Sequence, residues 1–505
     1  MLSAGERLKA LGSLITNADS HLRGIEIHKT SAIAAEKALA AAGFNCDIQT
    51  LDFFDVSPKP LCDAVLGNPP YVRYQQFSGS ARAKGLEAAL AHGVRLSLLA
   101  SSWAPFVVHA AQFLKPDGRL GLVLPAELLS VKYAAEVRRF LLNRFASVKL
   151  VMFEELVFPD VLEEVVLLLA EGTGPTPGFE LYQARNVAEL ESPNGSAWTQ
   201  FTPQSTEKWT SALLRSEALD IYQNLAASDG TNTLLDWGET YLGAVTGNNK
   251  YFALTEKHAI DLGLGQKELL PISPPGSRHL RGITLTEKAW SELVAGGSCC
   301  YLFYPKTERQ SAAADRYIKA GETMGVPKAY KCQARKPWWR VPLVPMADLL
   351  LTYMDYTCPR LITNEAKLYH LNSLYGVRLK EDRRKLGRDL LPISSLNTLT
   401  LLGAEMVGRS YGGGILKLEP KEADQLPLPS DLILQNAAAE LQTLRPQLSI
   451  ALRQGDISRV VKAVDGILLK KHLGLKLSEL RILREARESL FSRRIGRGKR
   501  THGAN

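Results

Sequence analysis

Four consecutive residues, Asn68-Pro69-Pro70-Tyr71, carry the most specific chemistry in the sequence. From average residue usage, a given string of this kind arises by chance in roughly one chain of this size in a thousand. The Asn68 side-chain oxygen and the Pro69 carbonyl can each accept one N–H of a planar amino group. Together they draw that nitrogen toward a tetrahedral, nucleophilic shape. The two prolines hold the carbonyl in place, and Tyr71 offers a face on which a planar group can stack. No protein nucleophile or strong base is needed. The same four residues also make a rigid turn that ends a strand, since proline cannot donate to a ladder.

Two further strand ends carry acids. One reads Gly24-Ile25-Glu26-Ile27, the other Leu51-Asp52-Phe53-Phe54. Ligands of open α/β sheets bind beyond the carboxyl ends of the strands, so all three ends would share one rim. A carboxylate such as Glu26 can accept from both hydroxyls of a ribose. An acid beside an aromatic ring, as in Asp52-Phe53, suits an adenine: the acid accepts from the amino group while the ring packs on the base. Taken singly, either acid is an ordinary solvated side chain. In register on consecutive strands they say more.

These residues need a sheet to position them. Strand patterns cover 22–27, 46–51, 63–67, 119–124, 147–153 and 163–170, with helical patterns at 31–42, 96–114 and 132–144. Lys115-Pro116-Asp117-Gly118 is the turn between one helix and the next strand. Such alternation predicts an α/β sheet wound on both faces. Gly172-Thr173-Gly174-Pro175-Thr176-Pro177-Gly178 breaks the pattern. From about 205 to 430 the elements become short and irregular, rich in aromatics and prolines, and from 431 the text is helical. The predicted domains are 1–172 (catalytic), 173–204 (linker), 205–430 (a second, mixed α+β domain) and 431–505 (a basic helical C-terminal segment).

A length of 505 residues fits two or three domains, and 45% hydrophobic with 22% charged residues is ordinary for a soluble globular chain. No stretch suits a signal peptide or a membrane span, so the expected compartment is the cytoplasm, with no membrane partner. Six scattered cysteines form no Cys-x-x-Cys pair, and no histidine has metal-ligand spacing beside them. No metal and no disulfide are expected. Residues 431–505 hold fifteen Lys/Arg against seven Asp/Glu, all but one of the nine net charges. The tail Ser492-Arg493-Arg494-Ile495-Gly496-Arg497-Gly498-Lys499-Arg500 suits phosphate contacts, or equally a solvated, frayed terminus.

The chain resembles the gamma-class adenine-N6 DNA methyltransferases, in particular the Taq-type and Eco-type enzymes of restriction–modification systems. The resemblance implies a class I, Rossmann-like methyltransferase sheet, S-adenosylmethionine as cofactor, and a second domain that recognises the target. It implies that the turn of Asn68, Pro69, Pro70 and Tyr71 holds an adenine flipped out of double-stranded DNA. Glu26 then takes the cofactor's ribose, and Asp52 with Phe53 its adenine. Leu156-Val157-Phe158-Pro159 resembles the segment that closes the other side of the base, which sets Phe158 opposite Tyr71. By residue type alone, Phe158 is a core phenylalanine. The opening Gly243-Ala244-Val245-Thr246-Gly247-Asn248-Asn249-Lys250-Tyr251-Phe252, with Lys336-Pro337-Trp338-Trp339-Arg340, Tyr375-Gly376-Val377-Arg378 and Gly408-Arg409-Ser410-Tyr411-Gly412-Gly413-Gly414, is similar to the family's target-recognition domain. Lys336, Trp338, Trp339, Arg340, Arg409 and Tyr411 are its candidate DNA contacts. The glycine run lacks the Gly-Lys-Ser/Thr ending of a P-loop. The likeness spans about 1–430, and any cognate restriction endonuclease is expected to be a separate chain.

The resemblance departs at the start. The family's glycine-rich cofactor loop belongs one helix before the Glu26 strand, yet the residues upstream offer Ser3-Ala4-Gly5 and no Gly-x-Gly. Residues 6–14 read like the helix that follows the loop, so this polypeptide is expected to bind cofactor weakly. Two other readings compete with a methyltransferase acting on DNA. One is a catalytically inactive relative that still binds DNA. The other is a methyltransferase acting on a protein glutamine or a ribosomal RNA base, families that share the turn. The long aromatic-rich second half argues against the latter.

Overall fold

The computed structural model describes residues 1–12, 22–153, 155, 157, 164–191, 198–203, 208–305, 310–411 and 413–499. The chain divides into two compact units, with the change at 208/209. In the first, α1 (Leu2–Ala10), β1 (Leu22–Glu26), α2 (Lys29–Ala41) and β2 (Cys46–Thr50) form a small layer. β1 and β2 pair in parallel with flush ends, Glu26 opposite Thr50. Leu22, Leu39 and Phe44 make its core, with Ala4 and Leu8 of α1 packed on them.

After these come β3 (Cys62–Gly67), α3 (Gly79–Leu90), α4 (Trp103–Ala110), β4 (Leu114–Pro125), α5 (Ala135–Arg144), β5 (Ser147–Phe153), β6 (Val165–Glu171), β7 (Phe179–Ala184) and β8 (Thr199–Phe201). The six strands form one sheet in the order β3-β4-β6-β5-β7-β8. Its centre is built from the apolar residues of β5 and β6, among which Val148, Leu150, Val151, Val166 and Leu168 are buried, as expected of strands in the middle of a sheet.

The α/β alternation stands, with three corrections. The expected single sheet is two, because β1 and β3 are both end strands and pair with no common neighbour among the described residues. Leu66 of β3 is accordingly 67% exposed. Residues 173–204 are no bare linker: β7 runs parallel to β5 and buries Phe179, Leu181, Tyr182 and Ala184, which require a sheet beside them. The helix expected over 96–114 begins only at Trp103, because Ser102 is bound into the turn that follows β3.

The second unit holds a five-stranded sheet in the order Gly238–Leu242, Tyr375–Leu379, Leu349–Leu351, Leu361–Asn364, Thr284–Leu285. Helix α6 (Thr398–Val407) leads into a hairpin of β9 (Arg409–Tyr411) and β10 (Ile415–Lys417), and α7 (Asp431–Arg453), α8 (Ile457–Asp465) and α9 (Leu477–Lys499) follow. Residues 431–505 are not a separate segment. Leu434, Leu441, Val460 and Val464 share one core with Leu349 and Tyr375, and Leu480 and Leu483 share another with Leu399 and Leu402. The valines Val460, Val461 and Val464 line one side of α8, a stripe that a lone helix would leave in water. Among the described residues no single helix is long and apolar enough to cross a membrane.

Candidate active site at the strand ends

β3 hands its backbone directly to the turn. Asn68 is exposed while Pro69 is buried, so the acceptor side chain faces solvent from a fixed base. The Tyr71 hydroxyl lies 2.8 Å from Asn68 Oδ1 and 2.9 Å from the Val123 carbonyl of β4, and can donate to either. The Tyr71 ring packs against the cluster of Val151, Phe153, Val165 and Tyr182. Three bonds from Ser102 pin the rest of the turn. Its hydroxyl accepts from the Val72 amide at 2.9 Å and donates to the Pro70 carbonyl, and its own amide donates to the Val72 carbonyl at 3.0 Å. Ser102 is 2% exposed, so these bonds are formed away from water, where an unmade one is costly. Sequence reasoning missed Ser102. A serine before an apolar helix reads as a cap, and its partners lie thirty residues away.

Both acids lie at strand ends, but on the two-stranded sheet and not on the sheet that carries the turn after β3, so the structure does not join the three ends in one rim. Glu26 ends β1, and its Oε1 accepts from the His28 amide at 2.9 Å. Asp52 follows β2 and opens a short 3-10 turn, Phe53–Asp55, accepting from the Phe54 amide at 3.1 Å. Lys84 of α3 reaches Asp55 at 2.6 Å and Asp52 at 3.8 Å, and the bond to Asp55 raises the lysine above its ordinary value. Each acid thus has one oxygen held by a backbone amide, and the two carboxylates are acceptors that fit the hydroxyls and amino group of an adenosine.

The Phe53 ring lies nearly parallel to Phe106 at 5.1 Å and to Phe113 at 5.5 Å, and edge-on to His109 at 4.8 Å. His109 is 3% exposed. Its Nε2 lies 3.2 Å from the Phe53 carbonyl and 3.1 Å from the Val56 carbonyl. Both partners are acceptors, so Nε2 carries the proton. Burial lowers the imidazole below its ordinary value against the pull of those two carbonyls, which favours its neutral form.

The candidate DNA contacts of the second unit are placed differently. Lys336 and Tyr411 are exposed. Trp338 packs on Tyr251 and Phe252 and joins Trp339 at the edge of that core. Arg340 lies over the Tyr304 ring at 4.7 Å and donates to the Pro305 carbonyl. Arg409 is paired with Glu419 at 3.2 Å and Glu422 at 3.7 Å. Phe158 lies outside the described residues.

Known proteins share both halves. Residues 206–469 match the family described as Type II methyltransferase M.Eco57I, C-terminal domain, and residues 15–158 the family described as Eco57I restriction-modification methylase. Type II methyltransferase M.XamI of Xanthomonas campestris pv. amaranthicola is 25% identical over 428 residues, 82% of this chain and 76% of that one. Type II methyltransferase M.AccI of Acinetobacter calcoaceticus is 22% identical over 447 residues, 85% and 80% of the two chains. Among solved structures, the Type IIL restriction-modification enzyme MmeI in complex with DNA superposes with a TM-score of 0.54 at 12% identity. That match covers 93% of this chain and 66% of the other, a likeness of fold. With family matches across both units, and with the α/β methyltransferase sheet expected from the sequence, the chain belongs to the Eco57I family of Type II restriction–modification methyltransferases.

Proposed function

We propose that this chain transfers a methyl group from S-adenosylmethionine to the exocyclic N6 of an adenine flipped out of duplex DNA, as the modification half of a restriction–modification system. The observation that carries the reading is the Asn68-Pro69-Pro70-Tyr71 turn at the end of β3, exposed at Asn68 and pinned behind it by Ser102. The cofactor supplies an electrophilic methyl group on its sulfonium. The chain does the rest. Asn68 Oδ1 and the Pro69 carbonyl accept the two N–H bonds of the amine, and Tyr71 stacks on the base with Phe158 across from it. An incoming amine must first displace the Tyr71 hydroxyl from Asn68, and the Val123 carbonyl offers that hydroxyl a second acceptor. Glu26 holds the cofactor's ribose, and Asp52 with Phe53 its adenine. Lys336, Trp338, Trp339, Arg340, Arg409 and Tyr411 belong to the DNA-recognising unit, and any cognate nuclease is a separate chain.

Long-read sequencing of DNA from cells expressing the chain tests this. Modified adenines confined to one sequence motif, and lost with Asn68→Ala, are expected. Unmodified DNA would sink the reading, and modified cytosines would move it to another base.

In a second reading the polypeptide binds DNA but holds the cofactor weakly, since residues 1–25 contain no Gly-x-Gly. In this fold a glycine-rich turn lets backbone approach the methionine tail, which a Cβ would block. Glu26 and Asp52 cannot replace that turn. Isothermal titration with S-adenosylmethionine decides between the two, since tight binding by the 505-residue polypeptide excludes the second.

A further inference from the structure

Helix α4 touches both turns of the candidate site, one at each end. Ser102 immediately precedes it and holds residues 70–72 by the three bonds described above. His109 sits near its last turn and holds the Phe53–Asp55 turn through the carbonyls of Phe53 and Val56. The two lie seven positions apart, a rise of about 10 Å along the helix.

The helix is itself fixed. Trp103 is fully buried, and its Nε1 donates to the Tyr133 hydroxyl at 3.0 Å, which donates to Glu127 at 2.5 Å. Phe106 lies edge-on to Phe54 at 4.6 Å. On the α3 side, a Cβ on Gly85 would come within 3.1 Å of Pro105. The helix therefore has little room to slide or tilt.

We propose that α4 is the spacer that sets the separation of methyl donor and methyl acceptor, with Ser102 as positioning residue for the acceptor turn and His109 as positioning residue for the donor turn. This rests on the functional reading above. In-line transfer requires the methyl carbon and the amine nitrogen at near-attack distance, and a misplacement of about 1 Å costs on the order of 100-fold in rate. A single rigid helix bonded to both turns meets that need without either residue touching a reacting atom.

The two ends predict different kinetic signatures. Ser102→Ala removes the hydroxyl that bridges Pro70 and Val72. It should slow single-turnover methylation at saturating S-adenosylmethionine about tenfold, the scale of one buried hydrogen bond, and leave the KM for cofactor unchanged. Ser102→Cys, nearly isosteric with a weaker donor, should fall between. His109→Leu should raise the KM for cofactor about tenfold with the saturated rate within twofold. His109→Gln, which keeps a donor near Nε2, should recover most of it.

Amide exchange gives a cofactor-free readout. Protection around Val72 should fall in Ser102→Ala and around 54–56 in His109→Leu, each without the other. A merely structural role would lower Tm and move neither constant selectively. Selective effects absent from both kinetics and exchange overturn the proposal. Asn68→Ala tells the two failures apart. If it abolishes transfer while Ser102→Ala does not slow it, the spacer fails alone; if Asn68→Ala transfers normally, the acceptor turn itself was misread.

Discussion

The turn after β3 and the basic end of α9 show opposite relations between sequence and structure. Asn68-Pro69-Pro70-Tyr71 is local chemistry: the residue types fix the shape, and the structure leaves Asn68 exposed where the sequence expects a working acceptor. Ser492-Arg493-Arg494 reads as solvated charge, yet Arg494 is only 3% exposed. Its guanidinium grips Glu405 of α6 through two bonds, Nε at 2.9 Å and Nη2 at 2.6 Å. Nη1 donates to the carbonyls of Tyr356 at 3.0 Å and Gly414 at 2.5 Å. That arginine braces the β9–β10 hairpin rather than reaching for phosphate. A motif is legible when its meaning lies within four residues. A cation that meets its carboxylate 89 positions away cannot be told from a surface one.

The largest effect expected follows from that contrast. Arg494→Ala leaves the Glu405 carboxylate buried and unpaired, and should lower unfolding free energy by about 3–5 kcal/mol. Arg481→Ala, on the exposed side of the same helix, should stay within about 0.5 kcal/mol. Urea denaturation of both variants measures the difference. Equal, small losses would return Arg494 to the solvated tail. Removal of residues 492–505 is expected to destabilise the hairpin as well as to remove charge, so it cannot serve as a clean test of phosphate contacts.

Asn68→Ala comes next. Losing one preorganised acceptor should slow methylation ~100-fold or more with DNA affinity little changed, because Asn68 is exposed and its side-chain oxygen is bonded within the turn itself, to the Tyr71 hydroxyl. Single-turnover kinetics and a DNA titration on the same preparation check both halves. A variant that binds DNA poorly would mean that the turn shapes the groove surface instead of the chemistry.

Much of the catalytic unit was legible because strand periodicity and turn chemistry are short-range. The six strand positions, the acids Glu26 and Asp52 at strand ends, and the turn at 68–71 all follow from patterns a few residues long. Long-range partners were not legible. Ser102, His109 and Arg494 look like a cap, an apolar-helix histidine and a tail residue, and each acquires its role from backbone carbonyls or a carboxylate far along the chain. The split between β1–β2 and the larger sheet was equally hidden, since strand patterns do not say which strands are neighbours. In the second unit the motif residues Trp338, Arg340 and Arg409 turned out to be engaged in packing and ion pairs, while only Lys336 and Tyr411 of that set are exposed.

Tyr71 sharpens the comparison from the other side, being a motif residue that also belongs to a core. If the target base is flipped out as proposed, Tyr71→Ala should weaken stacking on it by about 1–3 kcal/mol, so that 2-aminopurine at the target position fluoresces less on binding than with the parent. Tyr71→Phe keeps the ring and removes the hydroxyl from Asn68. Its methylation rate should therefore lie close to the parent's, and a loss as large as that of Tyr71→Ala would shift the role of Tyr71 from stacking to its hydroxyl.

The smallest effect concerns the two exposed members of the recognition set. Lys336 precedes a run that packs into the second unit's core, so its ammonium is carried on a rigid base and displayed to solvent. A cation so placed adds affinity by releasing a counterion from one phosphate, which costs about one unit of slope in log K against log salt when it is lost. Lys336→Ala should reduce that slope by about one, leave the methylated motif unchanged, and leave urea stability within about 0.5 kcal/mol. Tyr411 lies at the other extreme of exposure chemistry: Lys417 sits over its ring at 5.3 Å, and its removal should change affinity without changing the salt slope, since no charge is lost. If Tyr411→Ala changed the slope and Lys336→Ala did not, Lys417 would be the phosphate contact, held in place by the tyrosine, and the hairpin braced by Arg494 would take over the electrostatic role here given to Lys336.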